Sequence, residues 1–120
     1  EVQKKLEAIG GRLLNTDFST KILVAKLIPM TGCFAGVNEN VVAFNNKLEN
    51  EIHYRQDYKN TSNTAWYWEP RLKIVDMYAA FHNRTGDMPQ NALLDGLHPN
   101  VVGNQIMAYE WMAAIYANNN

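Results

Sequence analysis

The sequence predicts an α/β domain built on a parallel sheet, and three observations lead there. Residues 21–28 hold five large apolar residues and an alanine in eight positions and stop at Pro29, as a strand covered on both faces does. A second short run of the same kind lies at residues 72–77. Helical periodicity appears before, between and after these runs, and helices alternating with apolar strands imply parallel pairing. A length of 120 residues accommodates one small domain.

The elements follow in order. Val2, Leu6 and Ile9 recur at helical spacing and Gly10-Gly11 ends that helix. After the first strand and a loop over residues 31–36, Val37, Val41, Phe44, Leu48 and Ile52 recur at intervals of 4, 3, 4 and 4. This is the clearest amphipathic helix in the chain, with Asn40, Asn46, Lys47 and Glu49 toward water. Residues 54–70 are polar and read as a loop ending in Trp66-Tyr67-Trp68. That loop leads from a helix into a strand, so it belongs at the edge of the sheet opposite the ligand-binding carboxyl edge. Packing is therefore the expected role of its aromatic rings, ahead of sugar stacking. Beyond the second strand, Gly86, Pro89, Gly96 and Pro99 predict irregular chain from Phe81 to Pro99. The last helix is expected from Pro99 or Asn100 to Ala117, with Val102, Ile106, Tyr109, Met112, Ala113 and Tyr116 as its apolar face.

Composition narrows the functional classes. Eleven Lys and Arg against 12 Asp and Glu give a net charge of −1, which argues against a nucleic-acid partner. No apolar run reaches the ~18 residues of a membrane span, and no signal-peptide pattern stands at the start. The single cysteine, Cys33, excludes an internal disulfide and a cysteine-based zinc cluster; a bond to polypeptide outside these residues and an inert thiol both stay open. Sequons at Asn60 and Asn83 are usable only in a secreted eukaryotic protein, so a secreted glycoprotein is the expectation they support.

The chemical signal is Asp95-Gly96-Leu97-His98-Pro99-Asn100, just before the last helix. An imidazole serves as a general base near neutral pH. A carboxylate accepting one ring N–H fixes its tautomer and stabilises the imidazolium. Gly96 allows a turn between the two, and Pro99 suits the first turn of the helix that follows. His53 and His82 read as solvated or locally bonded. A metal site from His82, Asp87, Asp95 and His98 lacks zinc-ligand spacing, so no metal is expected.

This string, with Gly103 and an apolar helix after it, resembles the fifth conserved block of SGNH (GDSL-type) hydrolases. The likeness extends through residues 22–30, residues 37–48 with Phe44-Asn45, and Ile74-Val75-Asp76-Met77, and is similar to the C-terminal half of carbohydrate esterase family 3 acetylxylan esterases. The resemblance implies a three-layer, flavodoxin-like SGNH fold, with residues 1–120 as the C-terminal part of a single hydrolase domain. It implies His98 as catalytic base, Asp95 as its carboxylate partner, an acetylated carbohydrate such as xylan as substrate, and no cofactor. The family's nucleophilic serine, in a Gly-Asp-Ser block, and its oxyanion-hole glycine and asparagine blocks are not visible. Ser19 precedes a strand and Ser62 lies in the polar loop, so neither matches. The expected partner is thus an N-terminal portion of the same domain, without which this chain is expected to be inactive. Two strands with unpaired outer edges point the same way. Phe34, Phe81 and Met88, in the loops after the two strands, are the candidate substrate-pocket residues. The rival readings are a non-catalytic SGNH-like carbohydrate-binding module and a lipid or aryl esterase of the same fold.

Overall fold

A computed structural model describes residues 21–58 and 72–118, together with Lys5. The rest of the first expected helix, Trp66-Tyr67-Trp68, the Asn60 sequon, Ser19 and Ser62 lie outside the described residues. The elements run β1 (Ile22–Ala25), a 3-10 turn (Gly32–Val37), α1 (Asn38–Tyr58), β2 (Leu72–Val75), α2 (Met77–Arg84), a second 3-10 turn (Pro89–Ala92) and α3 (Val101–Asn118). Among the described residues β1 and β2 form a two-stranded parallel sheet, with Ile22 opposite Leu72 and Ala25 opposite Val75.

Both strands are shorter than their apolar runs, for identifiable reasons. The Lys26 N–H still donates to the Val75 carbonyl at 2.9 Å, but from Leu27 the backbone bonds to α1 instead of the sheet. Leu27 donates its N–H to Asn45 Oδ1 at 2.7 Å and accepts from Asn45 Nδ2 at 3.0 Å. Asn38 treats Met30 in the same way, accepting its N–H at 2.8 Å and donating Nδ2 to its carbonyl. Seven residues of helix advance about 10.5 Å and three extended residues about 10 Å, so the asparagines pair with residues 27 and 30 as a neighbouring strand would. β1 is half-buried along its length.

β2 stops at Val75 because Asp76 caps a helix absent from the sequence-based expectation. Its Oδ1 accepts the Ala79 N–H at 3.0 Å, the geometry of an N-cap. Residues 77–84 are therefore α2 and not irregular chain; Met77, Ala80 and Phe81 bury one face at spacings of three and four. Phe81 joins Ala80, Ala92, Leu93 and Ile106 in the core cluster, with Ile28 and Met107 packed against it.

Charged groups tie these elements together. Lys26 Nζ lies 3.0 Å from both Glu49 on α1 and Asp76 at the α2 cap. Burial opposes its charge, but the hydrogen bonds it donates to the two carboxylates outweigh that and raise its pKa. Arg84 bonds Glu110 at 3.0 Å and lies 3.8 Å over the Tyr109 ring, joining α2 to α3.

α3 starts at Val101, with Asn100 as its cap, and turns a different face inward than periodicity predicted. Ile106 is buried as expected, but Val102, Tyr109, Met112 and Tyr116 are 47–68% exposed. The buried side runs through Gly103, Ile106 and Met107. Gly103 explains the choice: a Cβ there would overlap the Ala92 carbonyl oxygen and crowd Pro99, so only glycine lets α3 approach the second 3-10 turn.

Candidate active site

Residues 94–98 form a tight reversal. Leu93 and Pro99 make an antiparallel bridge, and the Leu94 N–H donates to the His98 carbonyl at 2.7 Å. Pro99 thus closes this reversal and does not occupy the first turn of α3. At the tip, Gly96 takes φ +85°, the left-handed region that side chains disfavour.

Inside the reversal the acid is fixed before it meets the base. Asp95 Oδ1 accepts the His98 N–H at 2.8 Å and the Leu97 N–H at 3.0 Å. Its Oδ2 lies 2.8 Å from His98 Nδ1. The His98 amide, the imidazole and the Leu97 amide together hold the Asp95 carboxyl well below the usual carboxylate range. With Asp95 ionised, the 2.8 Å contact places a proton on Nδ1. Nε2 is then the basic atom, on a side chain 68% exposed. It makes no hydrogen bond among the described residues.

Two anchors hold the reversal. On one side the Thr31 N–H, just beyond the segment bonded to α1, donates to the Gly96 carbonyl at 2.8 Å. A Cβ on Gly96 would overlap the Thr31 oxygen, so the approach requires glycine. On the other side, Asn100 Oδ1 accepts the Gly103 N–H at 3.0 Å, while its Nδ2 donates to Asn91 O at 2.9 Å and its backbone N–H to Ala92 O at 3.0 Å.

The other sequence candidates divide. Phe34 is exposed on the first 3-10 turn, its N–H donating to the Thr31 carbonyl at 3.1 Å, so it stands one residue contact from the dyad loop. Met88 is exposed ahead of the second 3-10 turn. Phe81, by contrast, is fully buried among the described residues, packed with Ala80, Ala92, Leu93 and Ile106. His82 belongs to α2 and not to a loop; it packs on Tyr78 with centroids 5.0 Å apart. Asn83 is exposed near the end of α2, but its sequon partner Thr85 is engaged locally, its hydroxyl bonded to Phe81 O and accepting the Met88 N–H at 3.1 Å. Cys33 is exposed and free among the described residues. No group of three metal-ligating side chains occurs among the described residues, and no described helix is long and apolar enough to cross a membrane.

Asp95 and His98 thus form a hydrogen-bonded acid–base pair just ahead of α3, in a loop whose Gly96 meets the backbone of Thr31 beyond β1. The family model described as GDSL-like Lipase/Acylhydrolase matches residues 1–111, and the chain belongs to that family of ester hydrolases. The parallel strands and flanking helices are those of an SGNH-like α/β fold. No curated protein and no solved structure matches the chain.

The asparagines that bond Leu27 and Met30 carry only a weak mark in the sequence. Asn38 and Asn45 interrupt the apolar stripe of α1 at spacings shared with Val41 and Leu48. Asn45 is 3% exposed, and a buried amide in an apolar stripe is the signal that a backbone partner lies opposite.

Proposed function

We propose that this chain carries the general-base half of a serine ester hydrolase that removes acetyl groups from carbohydrate such as acetylated xylan. In this reading the nucleophilic serine and oxyanion hole belong to an N-terminal portion of the same domain, and residues 1–120 alone do not turn over ester. The carrying observation is the 2.8 Å contact between Asp95 Oδ2 and His98 Nδ1, which leaves Nε2 to accept the serine proton. The serine attacks the ester carbonyl and its proton passes to Nε2. The imidazolium returns that proton to the departing alkoxide, and water, deprotonated by His98, releases acetate from the acyl-serine. Secretion, supported by the sequons, suits a polysaccharide substrate.

A serine-directed fluorophosphonate applied to the complete protein tests the reading. Labelling on one serine outside residues 1–120 supports it; labelling of Ser19 or Ser62, or absence of labelling at neutral pH, counts against it, and the latter supports the non-catalytic carbohydrate-binding alternative. A second reading, an ester with a longer apolar acyl or aryl group, draws on Leu94 and Val101, which flank the dyad and are 77% and 73% exposed. Turnover of acetyl xylan compared with long-chain esters separates the two.

A further inference from the structure

We propose that Asn38, on α1, is a positioning residue for the Asp95–His98 dyad, acting through the backbone junction between Thr31 and Gly96. Asn38 holds both polar groups of Met30, which leaves the next residue, Thr31, with a fixed direction for its N–H. That N–H donates to the carbonyl of Gly96, the residue between the acid and the two amides that hold the acid. Gly96 is buried and too close to the Thr31 backbone to accept a side chain, so the two segments are in direct backbone contact. A displacement of Met30 therefore passes to Gly96 with no flexible side chain between them.

The second asparagine clamp makes the inference specific. Asn45 holds Leu27, four residues before Thr31, by the same bidentate chemistry. Both clamps bind the segment to α1, but only the Asn38 clamp abuts the residue that contacts the dyad loop. The role in turnover rests on the hydrolase reading above; the role in holding the loop does not.

The test uses the complete protein with Asn38→Ala, Asn45→Ala and Asn46→Ala, the last exposed on the same helix. Amide hydrogen exchange is followed at Thr31, Leu97 and His98, and kcat and KM are measured on p-nitrophenyl acetate. Asn38→Ala is expected to speed exchange at all three amides by ~10-fold or more and to lower kcat by about 10–100-fold with KM within ~2-fold, as loss of alignment does. Asn46→Ala leaves both unchanged, and Asn45→Ala affects Leu97 and His98 less than Asn38→Ala does. Exchange that rises at Thr31 but not at Leu97 and His98, or an unchanged kcat in an active protein, overturns the proposal. If the unsubstituted protein shows no turnover, the hydrolase reading fails and the exchange data alone decide this one. If Asn38→Ala does not fold, Asn38→Asp carries the same test with smaller changes, since it keeps the acceptor for the Met30 N–H and loses only the donor.

Discussion

Replacing Gly96 with alanine perturbs a point where the dyad loop touches the segment following β1. Two costs can be worked from the structure. The residue sits at φ +85°, where a side chain costs about 1–2 kcal/mol. The added Cβ would also overlap the Thr31 oxygen, forcing the segments apart and removing the 2.8 Å bond from the Thr31 N–H, a further ~1 kcal/mol. Gly96→Ala should therefore destabilise the complete protein by about 2–3 kcal/mol, read as a lower urea midpoint at unchanged m-value. A loop displaced by ~1 Å carries Asp95 and His98 with it, so kcat should also fall by on the order of 10²-fold. Unchanged urea midpoint and kcat would show that the loop tolerates a side chain there and that Thr31 does not hold it.

The other predictions concern the core and the acid. Phe81→Ala empties the fully buried centre shared by α2, α3 and the second 3-10 turn and should cost about 3–5 kcal/mol by urea denaturation; a cost below ~1 kcal/mol would contradict its place there. Asp95 has a folded pKa below its unfolded value, so its stabilisation is present above about pH 4 and is lost as pH falls through the lower folded value. Asp95→Asn should thus lower stability at pH 6 and flatten the decline below about pH 4, measured by urea midpoints across that range. Because Asp95 stays ionised throughout, the acid limb of kcat/KM should follow a single proton; a limb of slope two would contradict the assigned states.

The parts legible in the sequence are those whose partners lie nearby along it. Asp95 and His98 are three residues apart and meet through a turn that Gly96 permits, so the string alone predicted the contact. Both strands were legible from their apolar runs, but their ends were not, because what stops them is tertiary. Asn45 reaches Leu27 across 18 residues, and although its place in the apolar stripe signals a partner, nothing local says which residue that is. α2 was hidden because Asp76 and Met77 read as the end of a strand, whereas Asp76 is a cap and Met77 its first helical residue. On α3 periodicity selected the large apolar residues, while packing selected the face carrying Gly103, where backbones can meet. The full burial of Phe81 follows from α2, and without that helix it could not be anticipated.

The most direct measurement is the rate of fluorophosphonate reaction with the complete protein before and after His98→Ala. If Nε2 of His98 accepts the serine proton, His98→Ala should slow labelling by about 10²–10⁴-fold while circular dichroism stays native. Labelling at the unsubstituted rate would show that some other group activates the nucleophile and that the Asp95–His98 contact is only part of the fold.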